Sequence, residues 1–162
     1  MRTEFINPFL QAATEVLEAE LGSVPRRGNI GLEKSVYTSN DITAAVGVTG
    51  DVEGMVLYVM TEATGRAMVS KMMEQDFPEF DDLAQSGIAE IGNVITGRAA
   101  VLLAEAGFTS DLTPPMLLLG RGTVINTLGM QRLVIPLETD CGAIEVQVAL
   151  KMADAASRRL AA

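Results

Sequence analysis

One segment near the middle of the chain, residues 80–106, constrains the fold more than any other. Its apolar residues recur at intervals of three and four with no proline among them, a pattern that predicts a long amphipathic helix ending at Gly107. On a helical wheel with Glu90 at zero, one apolar stripe covers about 100° to 180°. The stripe consists of Ala84, Ile88, Ile91, Ile95, Ala99 and Leu102. A stripe this continuous must be buried against a sheet.

The opposite side of the same helix carries one acid and one amide in a smooth surround. Asn93 lies at about 300° on the wheel, so it is a neighbour of Glu90 on one face. The residues around them are small or apolar: Ser86, Val94, Gly97, Val101 and Ala104. A solvated face would instead be filled with lysine, glutamate, arginine and glutamine. We interpret this face as a docking surface, and the alternative is a second packing surface for the first helix or another subunit.

The remaining segments predict an α+β fold, because strands come in groups between helices and do not alternate with them. A first helix is expected from an Asn7 cap and Pro8 to Gly22, and a second from a Thr61 cap to about Glu74. Strands are expected at residues 30–38, 42–49, 53–60, 114–120, 131–138 and 142–151. We therefore expect one domain over residues 1–162, with a mixed, mostly antiparallel sheet, two long helices packed on it and a short or frayed tail at 153–162.

Composition excludes several classes of function. The net charge of −9 disfavours binding to nucleic acid or to an anionic membrane surface. The chain has no histidine and one cysteine, Cys141 in a predicted turn, which excludes histidine-based catalysis and internal disulfides. No signal peptide is apparent at the N-terminus, so a cytoplasmic location is expected.

The sequence of the long helix resembles that of a known protein family. Residues 86–97 read Ser-Gly-Ile-Ala-Glu-Ile-Gly-Asn-Val-Ile-Thr-Gly and resemble the Asp/Ser-x₃-Glu-x₂-Asn signature of the CheC/CheX/FliY family of response-regulator phosphatases. The opening Ile6-Asn7-Pro8-Phe9-Leu10 and the hairpin at residues 47–54 are similar to the CheX branch. CheC proteins repeat the motif on their first helix, but here no asparagine lies three residues after Glu15 or Glu18.

The resemblance implies specific roles. The amide of Asn93 would orient a water for in-line attack on the aspartyl phosphate of a CheY-type receiver domain, and Glu90 would pair with the receiver's active-site lysine. Ser86, Val94, Gly97 and Val101 would contact the partner. The Mg²⁺ of this chemistry belongs to the receiver, so we expect no cofactor or metal site in this chain. CheX proteins form homodimers through their sheets, so the resemblance implies a homodimer here.

Two other classes of function remain as alternatives. A non-catalytic dimeric adaptor of the same fold would bind receivers or motor components without hydrolysis. A small-molecule sensor domain has little support, because the chain lacks a glycine-rich phosphate-binding loop.

Overall fold

The computed structural model describes residues 3–160, which form four helices and ten strands. The helices are α1 (Thr3–Leu21), α2 (Glu62–Met73), α3 (Asp82–Glu105) and α4 (Ala155–Leu160). The strands are β1 (Arg26–Arg27), β2 (Gly31–Glu33), β3 (Val36–Thr38), β4 (Ile42–Gly50), β5 (Val52–Met60), β6 (Ser110–Leu112), β7 (Met116–Leu119), β8 (Val124–Asn126), β9 (Arg132–Thr139) and β10 (Gly142–Met152). The predicted α+β class is confirmed.

The main sheet has the strand order β1-β9-β10-β5-β4-β6, with β2 also paired to β9 and β7 also paired to β4. Every strand pair among residues 3–160 is antiparallel. The hairpins β4–β5 and β9–β10 meet through β5 and β10, as expected for nearly continuous apolar strands at the centre of a sheet. Cys141 lies in the β9–β10 turn, as predicted, and is a free thiol.

The core lies between one face of this sheet and the helices α1, α2 and α3. Alternate residues of β4, β5, β9 and β10 point into it, because side chains along a strand alternate between faces. The core stripe of α3 meets them, with Ile88, Ile91 and Ile95 almost fully buried. This packing fixes which face of α3 remains in solvent.

A two-stranded ribbon, β3 paired with β8, covers part of the opposite sheet face. Beneath it Tyr37 packs with Ala45, Leu57 and Val59. The buried Arg132 links the layers: its guanidinium donates to the carbonyl oxygens of Lys34 (2.9 Å) and Val36 (3.0 Å) and to the side chain of Gln147. The sheet is thus covered by helices on one face and partly covered by the ribbon on the other.

The predicted long helix is confirmed by α3. Asp81 caps its start by accepting a hydrogen bond from the Ala84 amide at 2.9 Å. By length and composition α3 could cross a membrane, but nine of its residues are buried within the protein. Its apolar stripe is therefore accounted for by the sheet and the neighbouring helices.

The predicted start of the first helix is wrong. Asn7 is not a cap, because α1 already includes Thr3 and continues through Pro8. Proline inside a helix costs about 3 kcal/mol. Here Phe5 and Phe9, one turn apart, are both buried, and the Phe5 ring meets Phe108 edge-on at 5.4 Å. Phe5 precedes the proline, and its burial, at about 1.5–3 kcal/mol, offsets most of that cost.

The predicted strand at residues 30–38 is also wrong as one element. The structure breaks it at Lys34 and Ser35 into β2, which pairs with the main sheet, and β3, which crosses to the ribbon. The short strands β1, β6 and β8 were not predicted. In the predicted tail, residues 155–160 form α4, and residues 161 and 162 lie outside the described part of the chain.

The cap of α3 gives a stability prediction. We expect Asp81→Ala to lower the free energy of unfolding by about 1 kcal/mol, because it leaves the Ala84 amide without its acceptor. Asp81→Asn retains an acceptor oxygen and is the matched control, with less than half that loss. Denaturant unfolding of the variants measures both. Equal losses for alanine and asparagine would assign the effect to the charge of Asp81 and not to the hydrogen bond from the Ala84 amide.

Candidate functional site

Glu90 and Asn93 lie together on the solvent side of α3. Glu90 is exposed and Asn93 is half-buried. Three residues apart on one helix, they are separated by about 4.5 Å along the axis. Within residues 3–160 neither side chain forms a hydrogen bond or an ion pair. Both therefore present unused hydrogen-bonding groups to solvent from a helix whose other side is fixed by the core.

The other predicted site residues share this face. Val94 and Val101 are 41% and 50% exposed, which leaves apolar area beside the polar pair. Ser86 is exposed one turn before Glu90. A side chain added at Gly97 would meet nothing within 4 Å, so this glycine leaves open space next to Asn93. The resulting surface is smooth and partly apolar.

Two of the three glycines in α3, Gly92 and Gly97, face opposite ways. Gly97 is half-buried with open space beside it, whereas Gly92 is buried and approaches the sheet. A Cβ atom at Gly92 would lie 3.1 Å from the Tyr58 ring and 3.6 Å from Ala44 Cβ. Gly92 therefore permits close packing of α3, whereas Gly97 lies on its solvent side.

Two parts of this surface were missed by the sequence analysis. Leu83 is 51% exposed and lies at about 20° on the wheel, in line with Val94 and Val101, so periodicity alone could have identified it. A shallow groove of about 330 Å³ also runs along α3, lined by Asp82, Gln85, Ser86, Ala89 and Leu117. Leu117 comes from β7, a tertiary neighbour that no spacing along the chain reveals.

Helix α1 borders the surface on its other side. Arg98 of α3 and Glu15 of α1 form an ion pair with a 2.7 Å N–O distance. The hydrogen bond from Arg98 lowers the pKa of Glu15, so the pair is charged at neutral pH. Arg98 follows Val94 by one turn and precedes Val101 by one turn. Its pairing with Glu15 directs its charge toward α1 and away from the apolar patch.

The Glu90 and Asn93 side chains can position other groups by hydrogen bonding and charge pairing. An amide donates and accepts hydrogen bonds without changing protonation, and a carboxylate pairs with a cation. No three cysteine, aspartate or glutamate side chains among residues 3–160 are grouped closely enough to hold a metal ion. Glu90 and Asn93 could therefore orient water and a cationic group at a reactive centre that another molecule brings.

A family model and a relative of known function both match this chain, and both are described as CheX. The model of the family described as chemotaxis phosphatase CheX matches residues 42–138. The CheY-P phosphatase CheX of Thermotoga maritima is 29% identical over 131 residues, which cover 80% of this chain and 84% of that protein. The family model and this relative therefore point to the same family, and the matched residues 42–138 include α3 and the central strands of the sheet.

Solved structures extend the likeness to nearly the full length. A chemotaxis protein CheX from Desulfovibrio desulfuricans superposes with a TM-score of 0.80 at 28% identity, covering 93% of this chain and 99% of that one. A chain in the CheX–CheY–BeF₃–Mg²⁺ complex from Borrelia burgdorferi has a TM-score of 0.72 at 30% identity, with the same coverage. Because the family match spans more than half of its residues, this protein belongs to the CheX family of chemotaxis phosphatases.

Proposed function

We propose that this protein is a phosphatase that accelerates hydrolysis of the aspartyl phosphate of a CheY-type response regulator. In this reaction Asn93 positions the attacking water, and Glu90 pairs with the active-site lysine of the receiver. The observation that carries the proposal is the Glu90–Asn93 pair on the solvent face of a core helix, whose side chains have no partner within residues 3–160, in a chain of the CheX family.

The chemistry requires little from this protein beyond geometry. Attack by water forms a new P–O bond, the bond from phosphorus to the aspartyl oxygen breaks, and the carboxylate leaves as inorganic phosphate forms. An acyl phosphate already has a good leaving group, and catalysis of phosphoryl transfer is largely positioning and charge stabilisation. A neutral amide on a rigid helix supplies positioning, so the absence of histidine from the sequence is no obstacle.

The surround of the pair suits a protein substrate. The exposed Leu83, Val94 and Val101, with open space at Gly97, form an apolar patch next to two polar groups, as in the centre of protein interfaces. We propose that Ser86 and this patch contact the receiver. The receiver supplies the Mg²⁺, in keeping with the CheX–CheY–BeF₃–Mg²⁺ composition of the Borrelia burgdorferi complex. We also propose that the encounter takes place in the cytoplasm.

The first prediction from this proposed function concerns Asn93. We expect Asn93→Ala to reduce the acceleration of dephosphorylation by about 10²–10³-fold, the usual effect of losing one group that acts in the transition state. Affinity for the receiver should change little, because the residue is half-buried and small. Phosphate release from phosphorylated receivers of the same organism measures the rate, and titration of a beryllofluoride-activated receiver measures binding.

The same two assays distinguish a phosphatase from a non-catalytic adaptor. A non-catalytic adaptor would bind an activated receiver, leave the lifetime of its phosphoryl group unchanged and be indifferent to Asn93→Ala. If wild type shortens the lifetime for none of the organism's receivers, the phosphatase proposal is wrong.

A second prediction separates Glu90 from Asn93. We expect Glu90→Ala to lower the rate and also to weaken receiver binding about 10-fold or more, because it leaves the partner's lysine unpaired in the interface. Glu105→Ala removes the same charge from the same helix about 22 Å further along its axis and is the matched control. Similar effects of both substitutions would reduce the role of Glu90 to that of overall charge.

We also propose that the protein is a homodimer. Its β7 strand pairs only with β4 among the described strands, and Met116 and Leu119 of β7 are exposed apolar residues. Sedimentation equilibrium should give twice the 17.2 kDa chain mass at micromolar concentration. Beryllofluoride-activated receiver should add to this species without dissociating it, since α3 must stay accessible. A monomer throughout that range would contradict the dimer.

A further inference from the structure

Directly beneath the Glu90–Asn93 pair, a tyrosine of the central strand β5 reaches up to α3. Tyr58 is fully buried, and its hydroxyl lies 2.7 Å from Thr96 Oγ1. Thr96 is also fully buried, and it donates to the Gly92 carbonyl oxygen at 2.7 Å. A threonine hydroxyl has a single proton, so the Tyr58 hydroxyl must be the donor to Thr96. The result is a directed chain from β5 through Thr96 to the backbone of α3.

This chain ends on the peptide group that leads into Asn93. The Gly92 carbonyl and the Asn93 amide belong to one planar unit. A hydrogen bond to that carbonyl therefore restrains the orientation from which the Asn93 side chain departs. Burial raises the pKa of Tyr58, so its hydroxyl remains a donor at any physiological pH.

The ring of Tyr58 restrains the same point by contact. A Cβ atom at Gly92 would lie 3.1 Å from Tyr58 Cδ2, so the helix backbone already rests close to the ring. The ring limits how near α3 comes to the sheet, and the hydroxyl chain limits its rotation. Phenylalanine would fill the same volume without placing a polar group in the core, so packing alone does not require the tyrosine.

We propose that Tyr58 is a positioning residue for Asn93, acting through Thr96 on the Gly92–Asn93 peptide group. The inference rests on the proposed function, because it assigns these buried hydroxyls to the placement of the water-orienting amide. In-line attack tolerates little error, and a 1 Å misplacement costs about 10²-fold in rate. A smaller displacement should lower turnover while leaving the docking surface, and therefore KM, nearly unchanged.

The test compares Tyr58→Phe and Thr96→Val with Thr96→Ser and Tyr37→Phe. We expect the first two to lower kcat by about 5- to 20-fold with KM within about twofold of wild type. Thr96→Ser keeps the hydroxyl and should restore most of kcat. Tyr37→Phe is the matched control: it removes a buried tyrosine hydroxyl 3.0 Å from Thr43, on the opposite face of the same sheet, and should leave kcat unchanged.

A second measurement does not depend on activity. The side-chain amide resonances of Asn93 in the free protein should shift in Tyr58→Phe and Thr96→Val and stay in place in Tyr37→Phe. If wild type is inactive on every receiver, the proposed function fails, while these resonances still show whether Tyr58 controls the setting of Asn93. Unshifted resonances, an unchanged kcat in Tyr58→Phe, or an equal loss in Tyr37→Phe would overturn the inference.

Discussion

The close contact between α3 and the central strands β4 and β5 is the constraint on which the other features of this protein depend. Gly92 lets the helix backbone come down onto Tyr58 and Ala44, and the isoleucines on either side of it fill the space above the sheet. Because that side of α3 is committed to the core, the rotation of the helix is fixed. Its other side then has to present Glu90 and Asn93 to solvent in one orientation.

This division of one helix into a fixed and a free side suits a reaction that depends on positioning. The substrate would bring its own metal and its own leaving group, and Asn93 would contribute the direction of attack. A rigid support matters more for such a residue than for a general base, since the rate depends on where the water is held. The flanking helix α1, joined to α3 by Arg98 and Glu15, and the Asp81 cap add to that support.

The sequence allowed prediction of those parts of the fold in which local pattern and tertiary burial agree. The apolar stripe of α3 and the hairpin strands are continuous in sequence, so their periodicity identified them within about two residues. The start of α1 was misplaced because the burial of Phe5 overrides the local preference of Pro8. The break at Lys34 and Ser35 depends on the distant residue Arg132, whose guanidinium binds the Lys34 and Val36 carbonyls. For the site, helix geometry located the face, but Leu117 and Tyr58 come from other elements that only the folded chain brings together.

The structure of this protein bound to a receiver that is activated with beryllofluoride and Mg²⁺ tests the central claim most directly. We expect the receiver to dock on the solvent face of α3, with the Asn93 amide within hydrogen-bonding reach of a water in line with the bond from the aspartyl oxygen to beryllium. Glu90 should pair with the receiver's active-site lysine. A complex in which the receiver contacts another face and leaves Glu90 and Asn93 in solvent would contradict the claim.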